Sequence, residues 1–209
     1  MNTKRYLLTA FLVAICTLGL AQTSPVPEAP DALVKRLAAE ITDALKADKG
    51  LAAGDTSKIA NLIDTKIISF VNFQRMTASS VGPAWRSATP EQQKRLQEEF
   101  KTLLIRTYAG AAKEINGQAV IVKPLRLAAD DTAVIVRSEV RGKGDPIQLD
   151  YRVGKVTDAS GTVWKIYDIN VLSVWLVETY RGQFAQEVNA NGIDGLIKSL
   201  AEKNKSIKK

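Results

Sequence analysis

The hydrophobic period of this chain changes twice, and those two changes constrain its fold more than any single motif. From Leu33 to about Asn116, apolar residues recur every three or four positions, the spacing of helices. From 118 to 171 they alternate, the spacing of strands. In Trp164–Leu200 the second change is visible within one stretch. Trp164, Ile166, Asp168 and Asn170 alternate with Val163, Lys165, Tyr167, Ile169 and Val171, then Val174, Val177, Tyr180, Phe184 and Val188 follow at helical spacing. Helices first, a sheet next and a helix last predict an α+β fold. The expectation is one four-stranded antiparallel sheet, with N-terminal and C-terminal helices packed on one face and an apolar cavity between.

The boundaries follow from local chemistry. Asp31 is expected to cap a helix running to about Lys49, with Leu33, Leu37, Ile41 and Leu45 on one face. After a break at Gly50–Gly54, a second helix carries Ile59, Leu62, Ile63, Ile67 and Phe70. Short pieces bearing Phe73, Met76 and Val81 lead to Gly82-Pro83. Thr89 caps the clearest helix, with Pro90 at its first position and Gln92 placed for a capping box. Its inward residues are Leu96, Phe100, Leu103, Leu104, Tyr108 and Ala111, and it ends near Asn116-Gly117. Strands are predicted at 118–127, 132–141, 146–156 and 162–171, joined by short turns. Ser173 is the expected cap of the last helix and Gly192 its end.

Residues 1–21 read as a secretory signal peptide. Lys4 and Arg5 precede an apolar run too short to span a bilayer, and Gly19-Leu20-Ala21 supplies the small residues of a cleavage site. Residues 22–30 form a Pro-rich flexible leader, 31–204 a single domain and 205–209 a basic tail. The mature chain is expected to be soluble and exported. Removing Lys4 and Arg5 leaves 27 basic residues against 22 acidic, a net charge of +5.

Cys16 lies in the signal, and the chain has no histidine, so the mature protein has neither residue type. This excludes disulfides, thiol nucleophiles, imidazole bases and nearly all zinc or copper sites. Carboxylates, hydroxyls and amines remain. The lone G-x-G of RGKGDP sits in a hairpin and is read as a turn. Asp168 is read as a buried carboxylate bonded to backbone or to an arginine. Nucleic acid is disfavoured by export and by the lack of a basic stripe with interleaved aromatics.

The assembled order resembles the MlaC or toluene-tolerance family, the periplasmic phospholipid-binding components of the Mla lipid-transport system. The resemblance is carried by FQRMTASSVGPAW (Phe73–Trp85), TPEQQKRLQEEF with TYAGA (Thr89–Ala111), LDYRV (Leu149–Val153), WKIYDI (Trp164–Ile169), LVETYRGQF and GIDGLIKSL. It implies a carrier with bound phospholipid as cargo, no cofactor and no catalytic residue. It also implies two partners: an outer-membrane lipoprotein-porin complex, and an inner-membrane ABC transporter with a lipid-binding ring. A monomer is expected. Where the family has a Gly-Val-Ser step, this chain has Ser173-Val174-Trp175.

The expected lipid-binding wall comprises Phe73, Met76, Leu104 and Tyr108 from the helices. Val134, Val136, Leu149, Tyr151, Trp164 and Tyr167 join it from the sheet, and Val174 and Trp175 from the junction. Arg152 and Arg181 are the expected docking charges beside it. Three other readings compete: a carrier of hopanoids or other hydrophobic molecules, a proton-transfer enzyme acting on a polycyclic substrate through Asp150 or Asp168, and a pure interaction module with a solid core.

Overall fold

The computed structural model describes residues 27–142, 144–158, 161–171 and 173–207. The signal peptide, most of the leader and the last two residues of the tail lie outside them. Helix α1 (Pro30–Ala47) is followed by α2 (Lys49–Ala52) and α3 (Thr56–Leu62). A π-helical turn (Ile63–Ile67) and a 3₁₀ turn (Ile68–Phe70) lead to α4 (Phe73–Val81). A second 3₁₀ turn (Gly82–Ser87) precedes α5 (Pro90–Tyr108) and α6 (Ala111–Ile115). The strands are β1 (Ala119–Val122), β2 (Ala133–Val136), β3 (Ser138–Arg141), β4 (Ile147–Asp158), β5 (Gly161–Val171) and β6 (Val174–Trp175). Helix α7 (Leu176–Ser206) closes the chain.

The sheet is antiparallel in the order β1-β3-β4-β5-β6, with β2 also paired to β4, so it has six strands rather than four. One of the extra strands arises because the expected strand 132–141 is interrupted at Arg137. Its halves keep one register, with Val136 opposite Tyr151 and Val140 opposite Ile147. At the break, side chains replace the ladder. The Asp150 carboxylate accepts the Ser138 N–H at 3.2 Å, and the Ser138 hydroxyl donates to the Leu149 carbonyl. The other is β6, which adds two residues to the edge of β5.

One residue of β5 has no partner. Arg152 pairs with Asp168 and Val153 with Ile166, leaving Tyr167 as a bulge. Strict alternation puts Asp168 on the face of Trp164 and Ile166; the bulge moves it to the opposite face. Val134, Val136, Tyr151, Val153, Trp164, Ile166 and Ile169 thus share one face. Helix α1 covers this face with Leu33, Val34 and Leu37. Arg152, Gly154, Lys165, Asp168 and Asn170 share the other, where α4 and the start of α7 lie. The helices therefore occupy both faces, not one.

A second core lies wholly among helices. Met76, Val81, Leu96, Phe100, Leu103, Val177, Tyr180, Phe184, Leu196 and Leu200 are buried together. Phe100, fully enclosed, meets Tyr180 and Phe184 edge-on at centroid distances of 4.9 and 5.2 Å.

The ends of the helices test the expected caps. Thr89 and Gln92 form the capping box. Asp31 instead lies in the first turn of α1, which opens on Pro30 with no side-chain cap. Helix α5 stops at Tyr108, and α6 continues after Ala109-Gly110. Gly192, with φ 70° and non-helical backbone, ends the first of two helical stretches that make up α7, as expected. Ser173 adopts φ 68° and caps nothing; the Val177 N–H of α7 is taken by Asp168, reaching across from β5 at 3.0 Å.

Phe100→Ala removes the ring that three aromatic neighbours share, and the expected loss is about 3–5 kcal/mol of stability. Urea denaturation of the two proteins measures it.

Candidate functional site

The face covered by α1 has an enclosed apolar centre and a half-buried apolar margin. Val136 and Val153 at its centre are fully buried, and Trp164 and Ile166 nearly so. Around them Ile67, Phe70, Val71, Val122, Leu125, Val134, Tyr151 and Ile169 are only half-buried. The segment bordering this ring is unusual. From Thr56 to Phe70 it carries Ile59, Leu62, Ile63, Ile67, Ile68 and Phe70, yet none of its residues is fully buried. Its backbone passes from α to π to 3₁₀ helix within fifteen residues, with the Ile68 N–H bonded to the Ile63 carbonyl. Large apolar residues on several sides leave such a segment no single stripe to bury, and π turns concentrate at functional sites.

The expected wall residues divide between several environments. Val134, Val136, Tyr151 and Trp164 belong to the α1-covered face, and half-buried Leu149 shares it by register. Phe73, Met76 and Leu104 belong to the helical core. Tyr108 stands beside Tyr180, whose phenol burial pushes up to about 12, with Tyr108 adding to the rise. Tyr167 lies on the opposite sheet face under the Arg75 guanidinium, and Trp175 lies under that of Arg152. Val174 is half exposed to solvent, at 51%. Sequence reasoning assigned Ile67, Phe70, Val71, Leu125 and Ile169 no part in this wall. The signal for the first two was present: six large apolar residues crowd Thr56–Phe70, more than one helical stripe holds.

Burial raises the Tyr151 phenol well above its usual value, against a smaller lowering by the Ser138 hydroxyl. A tyrosine ring with an enclosed hydroxyl and a half-buried body suits a wall that is apolar along its length.

Asp168, 1% exposed, is fully engaged. It accepts from the Ile169 and Val177 N–H groups at 2.9 and 3.0 Å and from Arg152 at 2.9 Å. Burial raises its pKa, and the two N–H groups and Arg152 oppose that rise. Arg152 also bonds Glu178 at 2.8 Å and stacks on Trp175 at 4.0 Å. The arrangement ties β4 and β5 to α7; its lone pairs are committed to structure rather than aimed at a substrate. Asp150 is likewise bonded, to Ser138 and Gln148. Among the described residues, no three acidic, cysteine or histidine side chains gather to hold a metal ion. Two surface concavities, of about 660 and 300 Å³, are bordered mainly by residues of polar or charged type, and none of the twelve expected wall residues lines either.

The family model for the MlaC protein matches residues 35–202. The chain belongs to the MlaC family. It is 27% identical, over 80% of its length and 76% of the relative's, to the toluene tolerance protein ttg2D of Pseudomonas putida. It is 23% identical, over 94% of its length and 89% of the relative's, to the intermembrane phospholipid transport system binding protein MlaC of Haemophilus influenzae. Its fold matches a phospholipid-binding protein from Ralstonia solanacearum, solved in complex with a phospholipid. That match has a TM-score of 0.79 and 43% identity, covering 88% of this chain and all of the other.

Asp168→Ala leaves the Arg152 guanidinium and the Val177 N–H without their shared partner. The expected loss is about 3 kcal/mol, the range for breaking a buried pair; Asp168→Asn, which keeps an acceptor, loses less. Denaturant midpoints of the three proteins measure the difference. Burial of Tyr151 and Tyr180 adds a pH dependence. Their raised folded-state values make the associated stability complete below about pH 10, the value for an exposed phenol, and progressively lost above it. Tyr180→Phe flattens that alkaline fall in a thermal-melt series.

Proposed function

We propose that this protein is a periplasmic phospholipid carrier of an Mla-type transport system. It moves lipid between an outer-membrane lipoprotein-porin complex and an inner-membrane ABC transporter with its lipid-binding ring, and so maintains outer-membrane lipid asymmetry. The observation that carries this reading is the half-buried apolar ring between the Thr56–Phe70 segment, α1 and the sheet. The likeness to the phospholipid complex supports it. Among the described residues, no helix is long and apolar enough to cross a membrane.

The physical logic is one of transfer. Two acyl chains carry on the order of 30 methylenes, and each favours an apolar surrounding over water by about 0.8 kcal/mol. Such tails do not cross an aqueous gap unenclosed. Ile67, Phe70, Val71, Val134, Tyr151 and Ile169 form the tail-holding wall, parted along a seam whose side chains are already incompletely packed. The headgroup stays in water. No bond is made or broken, so no catalytic residue and no cofactor is required. The carrier acts as a monomer and does not bind nucleic acid.

Organic extraction of the purified protein followed by mass spectrometry tests the reading. The expected result is a diacyl phospholipid mass; a hopanoid mass in its place supports the polycyclic alternative, and an empty extract rejects a carrier. Val134→Asp, a charge set into the half-buried ring, should reduce bound lipid at least about tenfold in a folded protein. Val174→Asp, on the exposed side chain, should leave it unchanged.

A further inference from the structure

On the sheet face opposite the ring, Gly154 sits near the middle of the twelve-residue strand β4. Glycine weakens a strand interior unless another group needs the space. Here one does. A β-carbon at Gly154 would lie 2.7 Å from Arg75 Nη1 and 3.3 Å from the Tyr167 ring. Arg75 projects from the first turn of α4, whose entry is fixed by the Asn72 N–H bonding the Ile166 carbonyl at 2.7 Å. Its guanidinium carbon lies over the Tyr167 ring, 3.6 Å from the ring centre. Tyr167 is the bulged residue of β5, and bulges re-aim side chains. Three separate features (the bulge, the glycine and the helix entry) thus converge on seating one arginine.

Among the described residues the seated arginine has no anionic partner, and neither Arg75 nor Lys165 makes an ion pair. Lys165 stands directly across the ladder from Gly154, on the same face. Asp168 and Glu178, on this side of the sheet, are both held by Arg152. Arg181 adds a third cation, its Nε bonded at 2.9 Å to the carbonyl of Ser79, one helical turn beyond Arg75. Exposed Ile135 and Val163 flank the site on neighbouring strands, at 41% and 37%.

We infer that Arg75, preorganised on Tyr167 and Gly154, and Lys165 form a docking grip for a carboxylate on an acidic partner-protein surface. Stacking covers one face of the guanidinium and Nη1 lies beside Gly154, while no N–H of the group has a hydrogen-bond partner among the described residues, which leaves donors for a carboxylate. A cationic centre with flat apolar flanks has the make-up of a protein interface. The site lies across the sheet from the proposed lipid wall, so it is separate from the cargo headgroup. Of the charges the sequence offered for docking, Arg181 joins this surface, whereas Arg152 is consumed by Asp168 and Glu178.

The choice of partner rests on the carrier reading, and the probe is the detergent-purified inner-membrane transporter with its lipid-binding ring. Affinity is measured for the wild-type mature chain, for Arg75→Gln with Lys165→Gln, and for Gly154→Ala. The double variant should bind at least about tenfold more weakly and lose the salt dependence of the wild type. Gly154→Ala keeps every charge but displaces the guanidinium, and should weaken binding in the same direction. Bound phospholipid should be unchanged in all three. Equal affinity of wild type and double variant overturns the proposal. So does a loss confined to vesicles containing phosphatidylglycerol, which would make the patch a membrane contact. Absence of phospholipid from the wild type would reject the carrier reading separately, because the affinities are measured without reference to cargo.

Discussion

The Asp168 carboxylate couples the two halves of this protein. It is buried, and charge in such a place persists only when fully bonded. Two backbone N–H groups and one guanidinium meet that requirement. One of those N–H groups belongs to Val177 in the first turn of α7, so the sheet supplies the cap that the helix lacks locally. Arg152 extends the same link to Glu178 and Trp175. From there α7 runs into the helical core, where Tyr180 and Phe184 enclose Phe100. The sheet core and the helical core are distinct clusters, and this bonded junction is one of the places where they are joined.

That division explains why an MlaC-family chain can be both well packed and incompletely packed. The helical core is tight around Phe100, Leu96 and Leu103, each wholly enclosed. Both cores carry a half-buried apolar margin, and that of the sheet core is bordered by the Thr56–Phe70 segment, none of whose residues is fully buried. Loose apolar margins are costly in a protein that only has to be stable. They are consistent with a wall whose complement is an apolar guest.

Much of this was legible in the sequence, because hydrophobic period responds directly to backbone geometry. The order of helices, sheet and helix followed from it, as did the antiparallel sheet, and the capping box at Thr89 followed from local cap chemistry. What escaped was set by contacts distant in sequence. Alternation through Trp164–Asn170 is perfect on the page, and nothing local to it announces that Tyr167 is unpaired; the register with β4 decides that. Ser173 has the chemistry of a cap, but the helix starts two residues later, with Trp175 at its N-cap, and Asp168 takes the Val177 N–H from another element. The wall residues were chosen as though all inward apolar side chains met in one interior. Phe73 and Met76 join one core, Val136 and Trp164 another.

The bulge at Tyr167 also divides β5 into two reading frames. Ahead of it, even-numbered residues through Ile166 face α1; beyond it, odd-numbered Ile169 and Val171 do. Tyr167 is surplus to the ladder. Were it absent, Ile166 and Asp168 would become ordinary neighbours opposite Val153 and Arg152, and every other pair would keep its present face. Any other single-residue change in the length of β5 would shift part of the strand relative to its partner and turn side chains inside out. A difference of one residue between relatives is therefore silent for the fold at this point alone along β5, and what it alters is the platform beneath Arg75.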